Sequence, residues 1–295
     1  MPNSKYDEVM KAKGYLPFVL GYLTDNLTIQ AEKELNETEE SRQLCLAELR
    51  KVIQKDSKLV CPTDDAYLLQ YLRARKFNVK KAFSLLQNFY QVKKSYPELF
   101  DNCDLDDLRK TYSSGAISTM PYRDQDGCAV YLIQMGKWDP EMISMQSGLT
   151  ALTCCILMCI EDCATQVTGV HIIVDVRGAN LKQLRCLTPR YLTLFSKALK
   201  NCLPVRFKGI HIYNESTVFQ YIWSVLKLFL TEKIKKRVHF HGDNQKQLHK
   251  FIPKAILPSE YGGDNAAHSS LSWFMPVIES FFERYNEIHT YGYSD

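Results

Sequence analysis

The sequence predicts an α/β protein with an all-helical N-terminal lobe and a larger lobe built on a mostly parallel sheet. Two observations support this fold class. The first hundred residues contain long runs rich in Glu, Lys, Leu and Arg, with apolar residues at helical spacing. After Asp101, short β-rich runs alternate with helical stretches, and crossovers of this length favour parallel strands with helices packed on the sheet.

Length and composition are those of a globular protein with a sizeable core. The chain has 295 residues, of which 45% are hydrophobic and 24% charged. Its ten cysteines form no CxxC pair and no zinc-type array, so we expect reduced, buried thiols in a reducing compartment. No apolar stretch reaches the roughly 20 residues needed to span a bilayer, and the N-terminus is a poor signal peptide. We expect a cytoplasmic protein.

The helical lobe is predicted from composition and capping residues. Residues 1–28 show no clear period and are treated as an N-terminal extension. Composition predicts one helix from residue 28 to about residue 55. Capping residues predict two further helices, one starting near Asp64 and one opened by Asn78 that ends at Pro97.

The larger lobe is predicted from strand-like runs separated by helices. The strand-like runs are residues 128–136, 170–178, 208–214 and 237–242. The helical stretches between them lie near 143–165, 188–201 and 217–236. We expect four segments: an extension 1–28, a helical lobe 29–100, a sheet lobe 105–265 and a tail 266–295 that packs as a final helix.

Charge is concentrated in one part of the chain. Residues 200–250 carry ten Lys/Arg and three Asp/Glu, a charge of +7, whereas the whole chain carries +4 and the remainder therefore −3. Such asymmetry indicates an anionic partner. Inside this region, ten of the thirteen residues from Val218 to Leu230 are apolar or aromatic. A helix of this length, about 20 Å, is too short to cross a bilayer.

Two interpretations of this apolar helix are open. It is either a plain core helix or a lid that closes an internal apolar cavity, because a helix that is apolar all round is buried or faces lipid. As a lid, it would direct Val218, Ile222 and Val225 inward to a cargo. Phe219 and Trp223 would then point outward to a membrane or a neighbouring helix.

Basic residues flank the apolar helix on both sides. Arg206 and Lys208 alternate at a strand start and therefore point to one face. Lys233 and Arg237 are four residues apart and would stack on a continuing helix. Each is either solvated surface or part of a clamp for a phosphate group, for which Arg and Lys are suited.

Motifs of catalysis and metal binding are absent from the sequence. It contains no GxGxxG after the first strand, no GxxxxGK[ST], no GxSxG and no HExxH. Asp175 at a strand end is interpreted as a turn cap or salt-bridge residue rather than as a catalytic acid. His211, His239 and His241 lie in apparent strands without a carboxylate cluster. We therefore expect no enzyme activity, no metal and no cofactor.

Several segments together carry a family resemblance. They are DDAYLLQYLRARKFNVKKA, HIIVDVRG, RFKGIHIYNE, FLTEKIKKRVHFHG and ILPSEYGG. In this order, over about residues 30–265, the chain resembles the CRAL-TRIO lipid-binding family, in the branch of α-tocopherol transfer protein, retinaldehyde-binding protein and the clavesins. The resemblance implies a helical lobe and an α/β lobe enclosing an apolar pocket, gated by a mobile helix at about Thr217–Leu230.

The resemblance also implies two sets of binding residues. In the tocopherol-transfer branch, basic residues bind a phosphoinositide head group, and those positions are here Arg206, Lys208, Lys233 and Arg237. The hydrophobic-ligand pocket would be lined by Leu152, Ile156, Val170, Phe195, Leu199, Leu203, Phe207, Val218, Ile222 and Val225.

The predicted function is that of a non-enzymatic carrier. It would bind one hydrophobic lipid (a prenol lipid, retinoid, sterol-like or acyl lipid) and exchange it at phosphoinositide-bearing membranes. The alternative is a phosphoinositide-binding regulator of endosomal or lysosomal traffic. We expect a monomer that associates peripherally with membranes, among them endosomes, and does not bind nucleic acid.

Overall fold

A computed structural model describes residues 4–100, 104–265 and 270–294. Within these ranges, nothing is described of the side chains of Ser4, Leu99, Leu184, Val218 and residues 270–272. The helices of the N-terminal half are α1 Ser4–Ala12, α2 Asp25–Leu35, α3 Glu39–Lys55, α4 Asp65–Ala74, α5 Val79–Ser95 and α6 Leu105–Ser113. The later helices are α7 Met145–Glu161, α8 Cys163–Thr168, α9 Leu181–Arg185, α10 Pro189–Lys197, α11 Thr217–Phe229, α12 Glu232–Lys235, α13 Gln245–Leu248 and α14 Ser270–Thr290.

The central sheet has five strands in the order β2-β3-β4-β5-β6. The strands are β2 Ile117–Thr119, β3 Ala129–Gln134, β4 Val170–Asp175, β5 Phe207–Tyr213 and β6 Val238–Phe240. β3 to β6 are parallel, as predicted, and β2 is an antiparallel edge strand that the sequence analysis missed. A second, two-stranded pair joins β1 Leu59–Val60 to β7 Gly292–Tyr293, so the end of the chain returns to the helical lobe.

Side-chain caps begin α4 and α5, as predicted from Asp64 and Asn78. The Asp64 carboxylate accepts the N–H of Tyr67 and the Asn78 side chain accepts that of Lys81. The single helix predicted over residues 28–55 is wrong. Asn36 takes a left-handed conformation (φ 62°) that ends α2, and Thr38 caps α3.

The two faces of the sheet bury different clusters. One face packs against α7, α10 and the helical lobe, through Ala129, Tyr131, Val170, Ile172 and Phe207. The other face packs against α1 and the segment after α13, through Val130, Leu132, Ile173, Tyr213, Leu248, Ile252 and Tyr261. Both faces are therefore covered, which is the expected arrangement for a parallel sheet.

A buried guanidinium group fastens the N-terminal segment to the sheet lobe. Arg123 is fully buried and donates to the carbonyl oxygens of Phe18 (2.6 Å) and Pro17 (3.1 Å). Asp162 lies 3.2 Å from Arg123, and its other carboxylate oxygen accepts the N–H of Leu20 at 2.6 Å. Part of the predicted extension is therefore packed against the domain.

A second buried guanidinium group joins the two lobes. Arg73 on α4 donates to both carboxylate oxygens of Glu37, at 2.8 and 2.6 Å, and to the Gln166 side chain on α8 at 2.6 Å. Arg73 and Glu37 are 4% and 5% exposed, so neither charge is solvated by bulk water. Removing one partner would strand the other charge in a buried site.

We predict that Arg73→Met lowers the free energy of unfolding by about 3–5 kcal/mol, because it removes two hydrogen bonds from the buried Glu37 carboxylate and leaves it with the partly exposed Arg42 as its cation. The measurement is urea unfolding followed by circular dichroism. Arg42→Met is the matched control, since Arg42 pairs with the same Glu37 carboxylate but is 34% exposed. The control is expected to lower the free energy of unfolding by less than about 1 kcal/mol. Equal losses of stability for the two variants would contradict the prediction.

Candidate functional site

The apolar helix α11 lies across the end of the sheet lobe. Ser216 caps it by accepting the N–H of Phe219 at 3.3 Å. One side of the helix is held by protein: Phe219 and Trp223 pack against a cluster formed by Val176, Ile210, Ile212, Leu230 and Ile234. The Trp223 ring also meets Phe240 edge-on, with ring centres 5.3 Å apart.

The opposite side of α11 presents large apolar side chains to solvent. Tyr221 is 74% exposed, Val225 45% and Leu228 76%. The expected helix faces are therefore corrected: Phe219 and Trp223 cover the sheet cluster, whereas Val225 lies with the exposed residues. The reason is that Ile210 and Ile212 of β5 offer α11 an apolar partner that a helix pattern alone does not reveal. No helix in the part of the chain that the structure describes is long and apolar enough to cross a membrane.

Most of the predicted pocket residues belong to the main apolar core, which runs through both lobes. Seven of the ten belong to, or pack on, one apolar cluster: Leu152, Ile156, Val170, Phe195, Leu199, Leu203 and Phe207. Ile222 is half-buried, Val225 is exposed, and the side chain of Val218 lies outside the described residues. A lipid-binding role for this set stays a prediction.

Arg206 and Lys208 share one carboxylate partner. Arg206 Nη2 lies 2.7 Å from Glu34 Oε2 on α2, and Lys208 Nζ lies 3.7 Å from the same oxygen. Burial opposes ionisation of Glu34, but hydrogen bonds from Arg206 and Gln30 and the charge of Lys208 outweigh it and lower the pKa of Glu34 to about 2. Glu34 is thus an anion that already pairs with Arg206 and Lys208, two of the four residues predicted to bind a phosphate group.

Lys233 and Arg237 form no salt bridge among the residues that the structure describes. Burial lowers the pKa of Lys233, and four positive charges lower it further: those of Arg237, Arg75, Lys76 and Arg206. Burial and the charge of Arg206 likewise lower the pKa of Arg237. Cations that depress one another's pKa without a carboxylate partner form a site suited to an anion.

Arg75 and Lys76 are members of this basic cluster that the sequence analysis missed. They follow α4 in a tight turn where Lys76 and Phe77 have φ of 52° and 57°. Arg75 Nη2 donates to Asn201 Oδ1 at 2.5 Å. Nothing in the local sequence signals the contact, because about 130 residues separate this turn from its neighbours in the sheet lobe.

The structure contains a cavity of about 950 Å³ at a different place. It lies at the N-terminal ends of β3, β4 and β5 and is lined largely by polar residues, among them Gln30, Glu34, Asp124, His171 and Lys208. It shares Lys208 with the predicted head-group site and no residue with the predicted lipid pocket. Its polar lining is unsuited to an apolar cargo.

Three histidines, His171, His211 and His241, form a row across the sheet. His171 Nδ1 lies 2.9 Å from His211 Nε2, and His211 Nδ1 lies 3.0 Å from His241 Nε2. Burial and the neighbouring imidazoles lower the pKa of His211 to about 2, so this ring is neutral. His239 stacks on His211 with ring centres 5.3 Å apart.

Asp175 has the structural role that the sequence analysis favoured. Its carboxylate accepts the backbone N–H of Arg177 at 2.9 Å and forms an ion pair with the Arg177 guanidinium at 3.0 Å. Asn214 and Tyr261 also donate to it, at 2.9 and 2.7 Å. Asp175 is therefore a fully hydrogen-bonded turn residue.

Comparison with known proteins places this geometry in a family. A family model described as the CRAL/TRIO domain matches residues 113–263, and one described as a Pinta-like UBA domain matches residues 38–109. The crystal structure of Sfh5 superposes with a TM-score of 0.51 at 13% identity, covering 80% of this chain and 91% of that chain, which shows a shared fold.

Curated relatives match over most of the chain. The human (Homo sapiens) alpha-tocopherol transfer protein-like is 33% identical over 259 residues, which are 88% of this chain and 76% of the relative. Clavesin-1 of Xenopus laevis is 31% identical over 257 residues, 86% of this chain and 77% of the relative. The predicted resemblance is thereby confirmed, and the chain belongs to the CRAL/TRIO family.

Proposed function

We propose that this protein is a non-enzymatic carrier that binds one hydrophobic lipid and exchanges it at phosphoinositide-bearing membranes. The family is one of lipid-binding and lipid-transfer proteins. Exchange at phosphoinositide-bearing membranes is supported by the exposed apolar face of α11, formed by Tyr221, Val225 and Leu228. The chain also has a cluster of basic residues around Lys233, of which Lys233 and Arg237 form no salt bridge among the described residues. Exposed apolar surface combined with positive charge is typical of a protein that docks on an anionic membrane.

The cargo would lie against the apolar cluster between α7, α10 and the sheet. Leu152, Phe195 and Leu199 pack against this cluster but are only half-buried, so apolar surface is left accessible there. A lipid that covered this surface would be stabilised by roughly 25 cal/mol for each Å² removed from water. This supports a binding role for the predicted set, within a cytoplasmic protein that meets endosomal or other membranes peripherally.

A chain of contacts connects the basic cluster to the lid. Arg75 is bonded to Asn201, which lies in the π-helical turn Ala198–Cys202 directly after α10. On α10, the Ser196 hydroxyl donates to the carbonyl oxygen of Phe229 in the last turn of α11, at 2.6 Å. A phosphate group that draws Arg75 away from Asn201 would thus loosen the element that holds the lid, and would shift the population toward an open state.

The proposed function is tested by native mass spectrometry and lipid extraction of the purified full chain. We expect one lipid per chain, which exchanges with labelled lipid when phosphoinositide vesicles are added. A bound lipid that never exchanges would favour the regulator of endosomal traffic instead. Chemical turnover of the bound lipid would contradict a non-enzymatic carrier.

We predict that Lys233→Glu/Arg237→Glu weakens binding to phosphoinositide vesicles by at least about 30-fold, because a basic residue near an anionic surface contributes about 1 kcal/mol. Cargo binding in solution should be unchanged. Vesicle co-sedimentation measures the first quantity and lipid extraction the second. Lys246→Glu/Lys250→Glu is the matched control, with the same spacing and charge change near the opposite face of the sheet. Unchanged vesicle binding by Lys233→Glu/Arg237→Glu would contradict a role for this basic cluster in membrane binding.

We also predict that Glu34→Gln strengthens vesicle binding roughly fivefold, because it frees Arg206 and Lys208 from their carboxylate partner. The measurement is the same co-sedimentation at fixed ionic strength. Glu32→Gln, on the same helix and exposed, removes the same charge and should have a smaller effect. Equal effects of the two variants would show that general charge, and not release of these cations, is responsible.

A further inference from the structure

The polar cavity contains a group of three side chains with the chemistry of metal ligands. Asp124, Cys128 and His171 each place one ligand atom within 4.8 Å of the others, the single such group found among the described residues. Two of them come from the turn before β3 and the third from β4. No local sequence pattern indicates this group, because 43 residues separate Cys128 from His171.

Asp124 is held by two backbone hydrogen bonds, yet one of its carboxylate oxygens accepts none. Its Oδ1 accepts the backbone N–H groups of Asp126 (2.9 Å) and Cys128 (2.7 Å), which fixes the turn. Its Oδ2 is buried and accepts no hydrogen bond, although the residue is only 3% exposed. A buried carboxylate oxygen without a partner is costly, so its presence points to a ligand that it meets.

His171 is oriented by a hydrogen bond on its far side. Its Nδ1 is paired with His211 Nε2 at 2.9 Å, and His211 continues the row to His241. This leaves Nε2 facing Asp124 Oδ2 at 3.5 Å, too far for a hydrogen bond. An imidazole whose second nitrogen is bonded to an outer partner is the usual arrangement of a metal-ligating histidine.

Glycine at position 209 makes this orientation sterically possible. A Cβ there would lie 2.6 Å from His211 Nε2 and 2.7 Å from His171 Nδ1. The bare backbone therefore lets the two rings approach each other beneath β5.

The surroundings favour a cation with one open coordination position. The group borders the cavity of about 950 Å³, so solvent can reach it. Lys208 lies near all three side chains and Arg123 near Cys128, and both charges oppose a cation. Glu34 offsets the charge of Lys208, and Asp126 adds a negative charge. Cys128 Sγ donates a hydrogen bond to the carbonyl oxygen of Thr168, at 3.5 Å, and would give up this proton on binding a metal.

We propose that Asp124 Oδ2, Cys128 Sγ and His171 Nε2 form a Zn²⁺ site whose fourth position faces the cavity. A thiolate, an imidazole and a carboxylate together suit Zn²⁺, whereas Mg²⁺ and Ca²⁺ prefer oxygen ligands alone. Tetrahedral Zn²⁺ with one sulfur ligand sets its ligand atoms roughly 3.3 to 3.6 Å apart. His171 Nε2 and Asp124 Oδ2 are already 3.5 Å apart, and a pair at the 4.8 Å limit would have to close by roughly 1.2 to 1.5 Å. The proposal revises the expectation that the chain binds no metal.

The test is equilibrium dialysis of the full chain against Zn²⁺ alone, with metal content measured by mass spectrometry. We expect one Zn²⁺ per chain, and with Co²⁺ a thiolate-to-metal charge-transfer band. Cys128→Ser should abolish the band, and His171→Gln should weaken Zn²⁺ binding by more than about 100-fold, the upper range for loss of an outer partner. His211→Phe removes only the hydrogen-bond partner of His171 Nδ1 and should weaken Zn²⁺ binding by about 10- to 100-fold.

Matched variants distinguish this site from other thiols and imidazoles. Cys186→Ser and His249→Gln alter residues of the same types away from the cavity and should leave the stoichiometry and the band unchanged. If a variant in the buried turn fails to fold, X-ray absorption of the wild-type Zn²⁺ protein provides the second measurement, with one sulfur in the metal's first coordination sphere. No sulfur, two sulfurs, or Zn²⁺ binding unaffected by Cys128→Ser would overturn the proposal.

Discussion

The buried ion pair between Arg73 and Glu37 is the constraint on which the arrangement of the two lobes depends. A guanidinium and a carboxylate without bulk solvent need each other's hydrogen bonds, and Gln166 supplies a third contact from the sheet lobe. Because Glu37 lies directly after the left-handed Asn36 that ends α2, the pair also connects the end of that helix to α4 and α8.

The position of α2 decides the electrostatics of the candidate sites. Three residues before the ion-paired Glu37, Glu34 reaches across to Arg206 and Lys208 at the start of β5. The same helix forms a wall of the polar cavity in which Asp124, Cys128 and His171 meet. One short helix thereby contributes both to the basic surface proposed to bind an anion and to the cavity proposed to bind a cation.

The apolar helix α11, proposed as a lid, is connected to the basic cluster through irregular backbone rather than through a regular element. The π-helical turn after α10 contains Asn201 in a non-helical conformation (φ −160°, ψ 36°) and receives the hydrogen bond of Arg75. Such π-helical turns are frequent at functional sites. In the proposed mechanism, this turn is the element through which a ligand of the basic cluster would affect α11.

Local sequence alone determined the parallel strands, the caps at Asp64 and Asn78, the turn role of Asp175 and the family, because these follow from short-range spacing and residue type. It also indicated which basic residues to consider. Only the tertiary structure decided which face of α11 is covered, since a helix that is apolar all round takes its orientation from the Ile210 and Ile212 surface it meets. The roles of Glu34, Arg75 and the Asp124–Cys128–His171 group likewise arise from contacts between residues far apart in sequence, for which no local pattern exists.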